Sequence, residues 1–154
     1  MATGHQIPMG LRAAYLAMHR QTNAILASHG ETADQFVILG ILAHQDEITQ
    51  QELVRRASSD PNTIRAMLVL LEGRGLVARH GHPTDGRARS VTLTRKGRQT
   101  YERLWADTES LRERLLAAFR PDEADTLIEF LARISEAMAP SQAGKSTVTL
   151  KGEA

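Results

Sequence analysis

The stretch from Thr49 to Thr94 changes its hydrophobic period part-way, and that change limits the folds open to the chain. Thr49-Gln-Gln-Glu52 has the spacing of a capping box, in which hydroxyl and carboxylate each satisfy an orphan N–H of the first turn. It predicts a short helix ending near Ala57, with Leu53 and Val54 turned inward. Asp60 is placed to cap a second helix, with Pro61 at the first position, where a missing N–H costs nothing. Ile64, Met67, Leu68 and Leu71 recur at helical spacing as its buried stripe, and Gly73 and Gly75 mark its end. After Gly75 the period falls to two. Leu76–Arg79 and Ser90–Leu93 read as strands, with Val91 and Leu93 alternating against Ser90 and Thr92. Gly81-His-Pro-Thr-Asp-Gly86 between them is dense in turn formers, so a hairpin with an exposed tip is expected.

A capped short helix, a turn, a second helix and a hairpin form a winged helix-turn-helix. The flanks are helical. Leu11, Tyr15, Met18, Thr22 and Ile25 give one face of an amphipathic helix from about Met9 to Ser28, stopped by Gly30. Thr32 is placed to cap a helix carrying Phe36, Val37, Leu39, Ile41 and Leu42, apolar nearly all round and so expected at the centre of the fold. Thr94 caps one long helix through Phe119, with a seam of Tyr101, Leu104, Thr108, Leu111, Leu115 and Phe119. A last helix begins near Pro121 and carries Ala124, Leu127, Ile128, Leu131, Ile134 and Met138. The expected fold class is mainly α, a winged helix-turn-helix with N- and C-terminal dimerisation helices, since the apolar faces of the first and last helices would mark association. Its parts are a first helix over 1–30, a DNA-binding domain over 31–97, C-terminal helices over 98–138 and a loose tail over 139–154.

Charge singles out the same region. The net charge is +1, yet residues 49–97 hold nine basic and four acidic side chains, while the segments on either side are each mildly acidic. A basic middle suggests a local anionic partner, with nucleic acid the first candidate. Asn62, Thr63 and Arg65 lie at the start of the second helix, where Asn suits adenine, Arg suits guanine and a Thr methyl suits thymine. Arg55 and Arg56 on the preceding helix suit phosphates, and Arg87 and Arg89 on the hairpin would reach the backbone or minor groove.

Other classes are excluded or disfavoured. With no cysteine there is no disulfide, thiolate metal site or thiol nucleophile. The longest apolar run, Phe36 to Ala43, is far short of the roughly 20 residues of a membrane span. Residues 1–10 carry no apolar leader, so a soluble cytoplasmic protein without membrane contact is expected. No phosphate-binding glycine loop, serine-hydrolase elbow or zinc-protease motif occurs, so no catalytic residue and no cofactor are expected. His80, His82 and Asp85 have a spacing open to a transition metal, but they lie on an exposed tip, and no metal site is expected.

These residues resemble the MarR family of bacterial transcriptional regulators over roughly residues 9–138. The similarity rests on Gln50-Gln-Glu-Leu-Val54, Asn62-Thr-Ile-Arg65, Leu71-Glu-Gly-Arg-Gly-Leu-Val77, Asp85-Gly-Arg87, Val91-Thr-Leu-Thr94 and Gly97. The resemblance implies a homodimer built by the first and last two helices, binding a pseudopalindromic double-stranded DNA operator. It implies a repressor that releases DNA when a small organic effector binds. It also implies that Asp85 shapes the wing by pairing with Arg87 or Arg89. Pro61 and His80-Gly-His82-Pro83 depart from the family pattern, and cysteine-based peroxide sensing cannot operate here. Tyr15, His19 and Trp105 are candidate effector contacts, although dimer packing of Tyr15 and Met18 with a crevice-covering Trp105 is the simpler account of them. The alternative is a non-DNA-binding helical interaction or small-molecule-binding dimer of the same fold.

Overall fold

In the computed structural model α1 (Gln6–Leu26) starts three residues earlier than its apolar period suggests and runs into a 3₁₀ turn, Ala27–His29. Gly30 ends that turn at φ 71°, a conformation that disfavours any residue with a Cβ. The residues described are 1, 3–45, 47–81, 84 and 89–140. Thr32 then caps α2 (Ala33–Ala43) in a full capping box with Gln35. After β1 (Ile48–Thr49) come α3 (Gln50–Arg56) and α4 (Pro61–Gly73), the strands β2 (Val77–Gly81) and β3 (Arg89–Leu93), and three further helices. These are α5 (Arg95–Asp107), α6 (Glu109–Leu116) and α7 (Pro121–Ala137). Met1–Arg112 form one packed unit, and the residues from Glu113 onward form a second.

The core of the first unit is aliphatic. Ile38, Leu39 and Leu42 of α2 meet Leu53, Ile64, Leu68 and Leu71 of α3 and α4, Val77 and Val91 of the sheet, and Tyr101 and Leu104 of α5. The centre therefore lies where α2 was expected to place it, although Val37 on its outer side is exposed.

Four local expectations are corrected. The sheet has three antiparallel strands in the order β1-β3-β2, because Ile48 and Thr49 pair with Val91 and Ser90. Two residues are too short to display a period. Ser90, expected outward, is fully buried, and its hydroxyl has no hydrogen-bond partner among the described residues. The box at Thr49 is half-formed: its hydroxyl accepts from the Glu52 N–H, but the Glu52 carboxylate is engaged elsewhere. Finally, the single helix expected from Thr94 to Phe119 is broken at Thr108. The buried Thr108 hydroxyl donates back to the carbonyls of Leu104 and Trp105, and Arg112 donates to the Trp105 carbonyl. Side-chain bonds of this kind compete with the helical ladder and end α5.

In the second unit α7 opens as expected at Pro121, with the Arg120 N–H bonded to Glu123. Its apolar residues Leu127, Ile128, Phe130 and Leu131 are all exposed in the single chain.

Candidate nucleic-acid interface

Local chemistry builds α4 as a helix with one buried and one presented face. Asp60 accepts the Thr63 N–H at 2.9 Å and the Thr63 hydroxyl at 2.6 Å, bonds that hold its carboxyl below the usual range. Pro61 fills the first position without loss. Ile64, Leu68 and Leu71 anchor one side in the core. The opposite side presents Asn62, Thr63, Arg65, Ala66, Val69 and Leu70 to solvent. The structure thus brings Asn62, Thr63 and Arg65 together on the exposed first turns. The Thr63 hydroxyl is already committed to Asp60, which leaves its methyl free. Arg65 makes no hydrogen bond or ion pair among the described residues.

Arg55 and Arg56 differ from Arg65. Arg55 donates to both Glu52 oxygens, at 2.9 and 2.6 Å, and Arg56 Nε donates to Glu52 Oε1 at 2.7 Å. The two guanidiniums hold the Glu52 carboxyl down to about 2. Both arginines face solvent on α3, but they share one counter-charge. The i,i+3 and i,i+4 spacing of these three residues is the signal that would have found the cluster.

The wing root is tied to the back of α4. Arg79 on β2 donates to both Glu72 oxygens, at 3.2 and 3.0 Å, through Nε and Nη2, and its backbone N–H donates to Glu72 as well. Arg79 holds the Glu72 carboxyl below its ordinary value. Nothing in the local sequence signals this pair, which depends on the strand register. Arg89, exposed, sits opposite Gly81 at the last described rung of the hairpin. Asp85, Arg87 and His82 lie outside the described residues. His80 bonds Thr92 across the strands, and no cluster of metal-ligating side chains occurs among the described residues.

Behind the sheet, Gly97 explains the spacing Thr94-x-x-Gly97. A Cβ there would lie 2.0 Å from the Leu76 carbonyl oxygen. The Thr94 hydroxyl donates to the Gly75 and Leu76 carbonyls and accepts the Gly97 N–H. The wing and α5 are thereby joined at one tight crossing.

The candidate effector residues divide into two groups. Tyr15 stacks on His19 along α1, with ring centroids 5.4 Å apart. Trp105 instead packs with Phe36 and Tyr101, and the Arg112 guanidinium lies 3.6 Å from its ring centroid. No ring contact joins Tyr15 or His19 to Trp105 among the described residues. Phe36, Tyr101 and Arg112 are the neighbours that helical spacing alone could not assign to Trp105.

The family model described as MarR family matches residues 32–88. The HTH-type transcriptional repressor Rv2887 of Mycobacterium tuberculosis is 34% identical over 97 residues, which are 63% of this chain and 70% of that protein. The chain belongs to the MarR family. The first curated relatives are covered over 66% and 70% of their length. Among solved MarR-like structures, the transcriptional repressor CouR bound to a 23-mer DNA duplex has 29% identity and a TM-score of 0.76, covering 88% of this chain and 98% of that one. NadR in complex with 4-hydroxyphenylacetate has 25% identity and a TM-score of 0.76, covering 88% of this chain and 94% of that one. The winged helix-turn-helix is therefore that of a transcriptional-regulator family. No helix among the described residues is long and apolar enough to cross a membrane.

Proposed function

We propose that this chain is a sequence-specific double-stranded DNA-binding repressor that acts as a homodimer on a pseudopalindromic operator. The observation that carries the reading is Arg65. An exposed guanidinium with no partner among the described residues stands beside Asn62 on the presented face of α4. That is the chemistry of bidentate base readout in a major groove. CouR, of similar fold, is a repressor bound to duplex DNA, which supports the same use here. Arg55, Arg56, Arg87 and Arg89 are assigned to phosphate and groove contacts, and Asp85 to shaping the wing tip. The segments take the roles of an N-terminal dimerisation helix (1–30), a DNA-binding domain (31–97), C-terminal dimerisation helices (98–138) and a tail (139–154). The exposed apolar side chains of α1 and α7 suit that dimer, since apolar patches on a chain mark association.

A small organic effector bound near Tyr15, His19 and Trp105 releases the DNA. NadR, which holds 4-hydroxyphenylacetate, supports an effector of that size. Such a ligand must bind the released form better than the DNA-bound form, because equal affinity shifts nothing. The protein works in the cytoplasm and catalyses no reaction. The test is titration of the full chain onto a duplex selected from a randomised pool, at several salt concentrations. With about 6–10 phosphates neutralised, log K falls against log salt with a slope of about −5 to −9. Absence of duplex binding, or a slope near zero, refutes the function.

A further inference from the structure

At the end of α4 opposite its reading face, Arg74 is the C-cap residue, and its side chain leaves the helix for a distant corner of the fold. Its Nη1 donates to the Gly30 carbonyl at 2.9 Å and lies 2.7 Å from Glu31 Oε1. Its Nη2 donates to the His29 carbonyl at 3.4 Å. The Arg74 carbonyl in turn accepts from Lys96 Nζ at 2.8 Å, on the first turn of α5. One residue thus joins the end of α4 to the α1–α2 corner and to α5. His29 on that corner also bonds Asp107 on α5.

We propose that Arg74, held by the buried Glu31 carboxylate, is the positioning residue that sets the tilt of the recognition helix and hence its fit to the operator. The proposal rests on the DNA-binding reading above. Its geometric basis is leverage. A helix of 13 residues is roughly 18–20 Å long. A tilt of about 5° at the cap moves the reading end by about 1.5 Å, beyond the roughly 0.5 Å to which a recognition constellation must be held. The Glu31 side chain has no exposed surface, and Arg74 is its one ion-pair partner among the described residues. Burial pushes its carboxyl up, so keeping it ionised works against folding. A neutral side chain of the same shape would hold the fold at least as well. What the ion pair supplies is a fixed register between the corner and α4.

The test uses the full chain and its variants Glu31→Gln, Arg74→Ala and Arg74→Lys. Each is titrated onto a duplex selected by the wild-type protein and onto a scrambled duplex of equal length, at one salt concentration. The ratio of the two affinities is the readout, because loss of folded protein lowers both affinities together. Glu31→Gln and Arg74→Ala are expected to lower the ratio about tenfold, as one mismatched base pair would. Arg74→Lys keeps a cation beside Glu31 without the planar guanidinium, and falls between them and wild type. An unchanged ratio in Glu31→Gln and Arg74→Ala overturns the proposal, whatever their stability. A wild-type ratio near one refutes the function itself, and with it this role for Arg74.

Discussion

Gly97→Ala inverts the usual expectation for a glycine inside a helix. On propensity alone the change should stabilise the protein by about 1 kcal/mol, since Gly97 lies within α5. The crossing with the wing opposes it. The new methyl would meet the Leu76 carbonyl oxygen at 2.0 Å, the Leu76 carbonyl carbon at 2.9 Å and Leu93 Cδ1 at 2.7 Å. The leucine methyl can move aside, but the carbonyl belongs to the backbone at the start of β2. Separation to ordinary contact requires a shift of more than about 1 Å, at an overpacking cost of about 1–3 kcal/mol. The same shift strains the Thr94 cap, whose hydroxyl bridges Gly75, Leu76 and Gly97. Loss of such a cap costs about 1 kcal/mol. Net destabilisation of about 1–3 kcal/mol is expected after the propensity gain. Gly73→Ala is the control, because nothing lies within 4 Å of a Cβ there and it belongs to α4. Urea unfolding at one fixed protein concentration compares the variants, since a dimer's midpoint depends on concentration. A Gly97→Ala protein as stable as Gly73→Ala, or more stable than wild type, would show that the crossing of the wing and α5 tolerates a side chain at position 97.

Two further outcomes follow from the charged contacts and a third from the core. Glu52→Gln removes the shared counter-charge of Arg55 and Arg56, and the slope of log K against log salt should steepen by about 1–2 if both arginines then answer to phosphates; an unchanged slope shows that Glu52 does not restrain them. Glu31→Gln tests the sign of a buried carboxylate. Its folded-state pKa is raised by burial, so its contribution is fully present below the unfolded value and is lost as pH rises through the folded value. The stability of Glu31→Gln relative to wild type should therefore increase from acid to neutral pH in thermal melts, and a constant difference contradicts the assignment. Leu68→Ala, at a site with no exposed surface, should cost about 2–5 kcal/mol in the same melts; a loss below 1 kcal/mol would place Leu68 outside the core.

The helix-turn-helix was legible because its signals are local. Asp60, Pro61 and the spacing of Ile64, Leu68 and Leu71 define α4 within one stretch of chain, and Thr32 and Thr94 mark their helices just as directly. Features that depend on tertiary pairing were not legible. Ile48 and Thr49 form a strand only because β3 offers a free edge, and the burial of Ser90 is likewise a matter of tertiary packing. The break at Thr108 needed the Arg112 side chain folded back on Trp105. At the candidate site the exposed positions of Asn62, Thr63 and Arg65 were readable from helical phase. The engagement of Arg55 and Arg56 by Glu52 is encoded in the spacing, but the same glutamate also fits the spacing of the cap at Thr49. The links Arg79–Glu72 and Arg74–Glu31 join residues whose proximity no local pattern encodes. Helical spacing and the family resemblance grouped Tyr15, His19 and Trp105 without the intervening packing that gives Trp105 different ring partners.

Arg65 is the residue through which α4 is proposed to read base edges. The most direct measurement compares wild type with Arg65→Ala on a panel of operator duplexes, each altered at one base pair of a half-site. At one position per half-site the wild-type penalty of about 1–3 kcal/mol should vanish in Arg65→Ala, while penalties at the other positions persist. Penalty profiles that are the same for both proteins at every position would contradict the account.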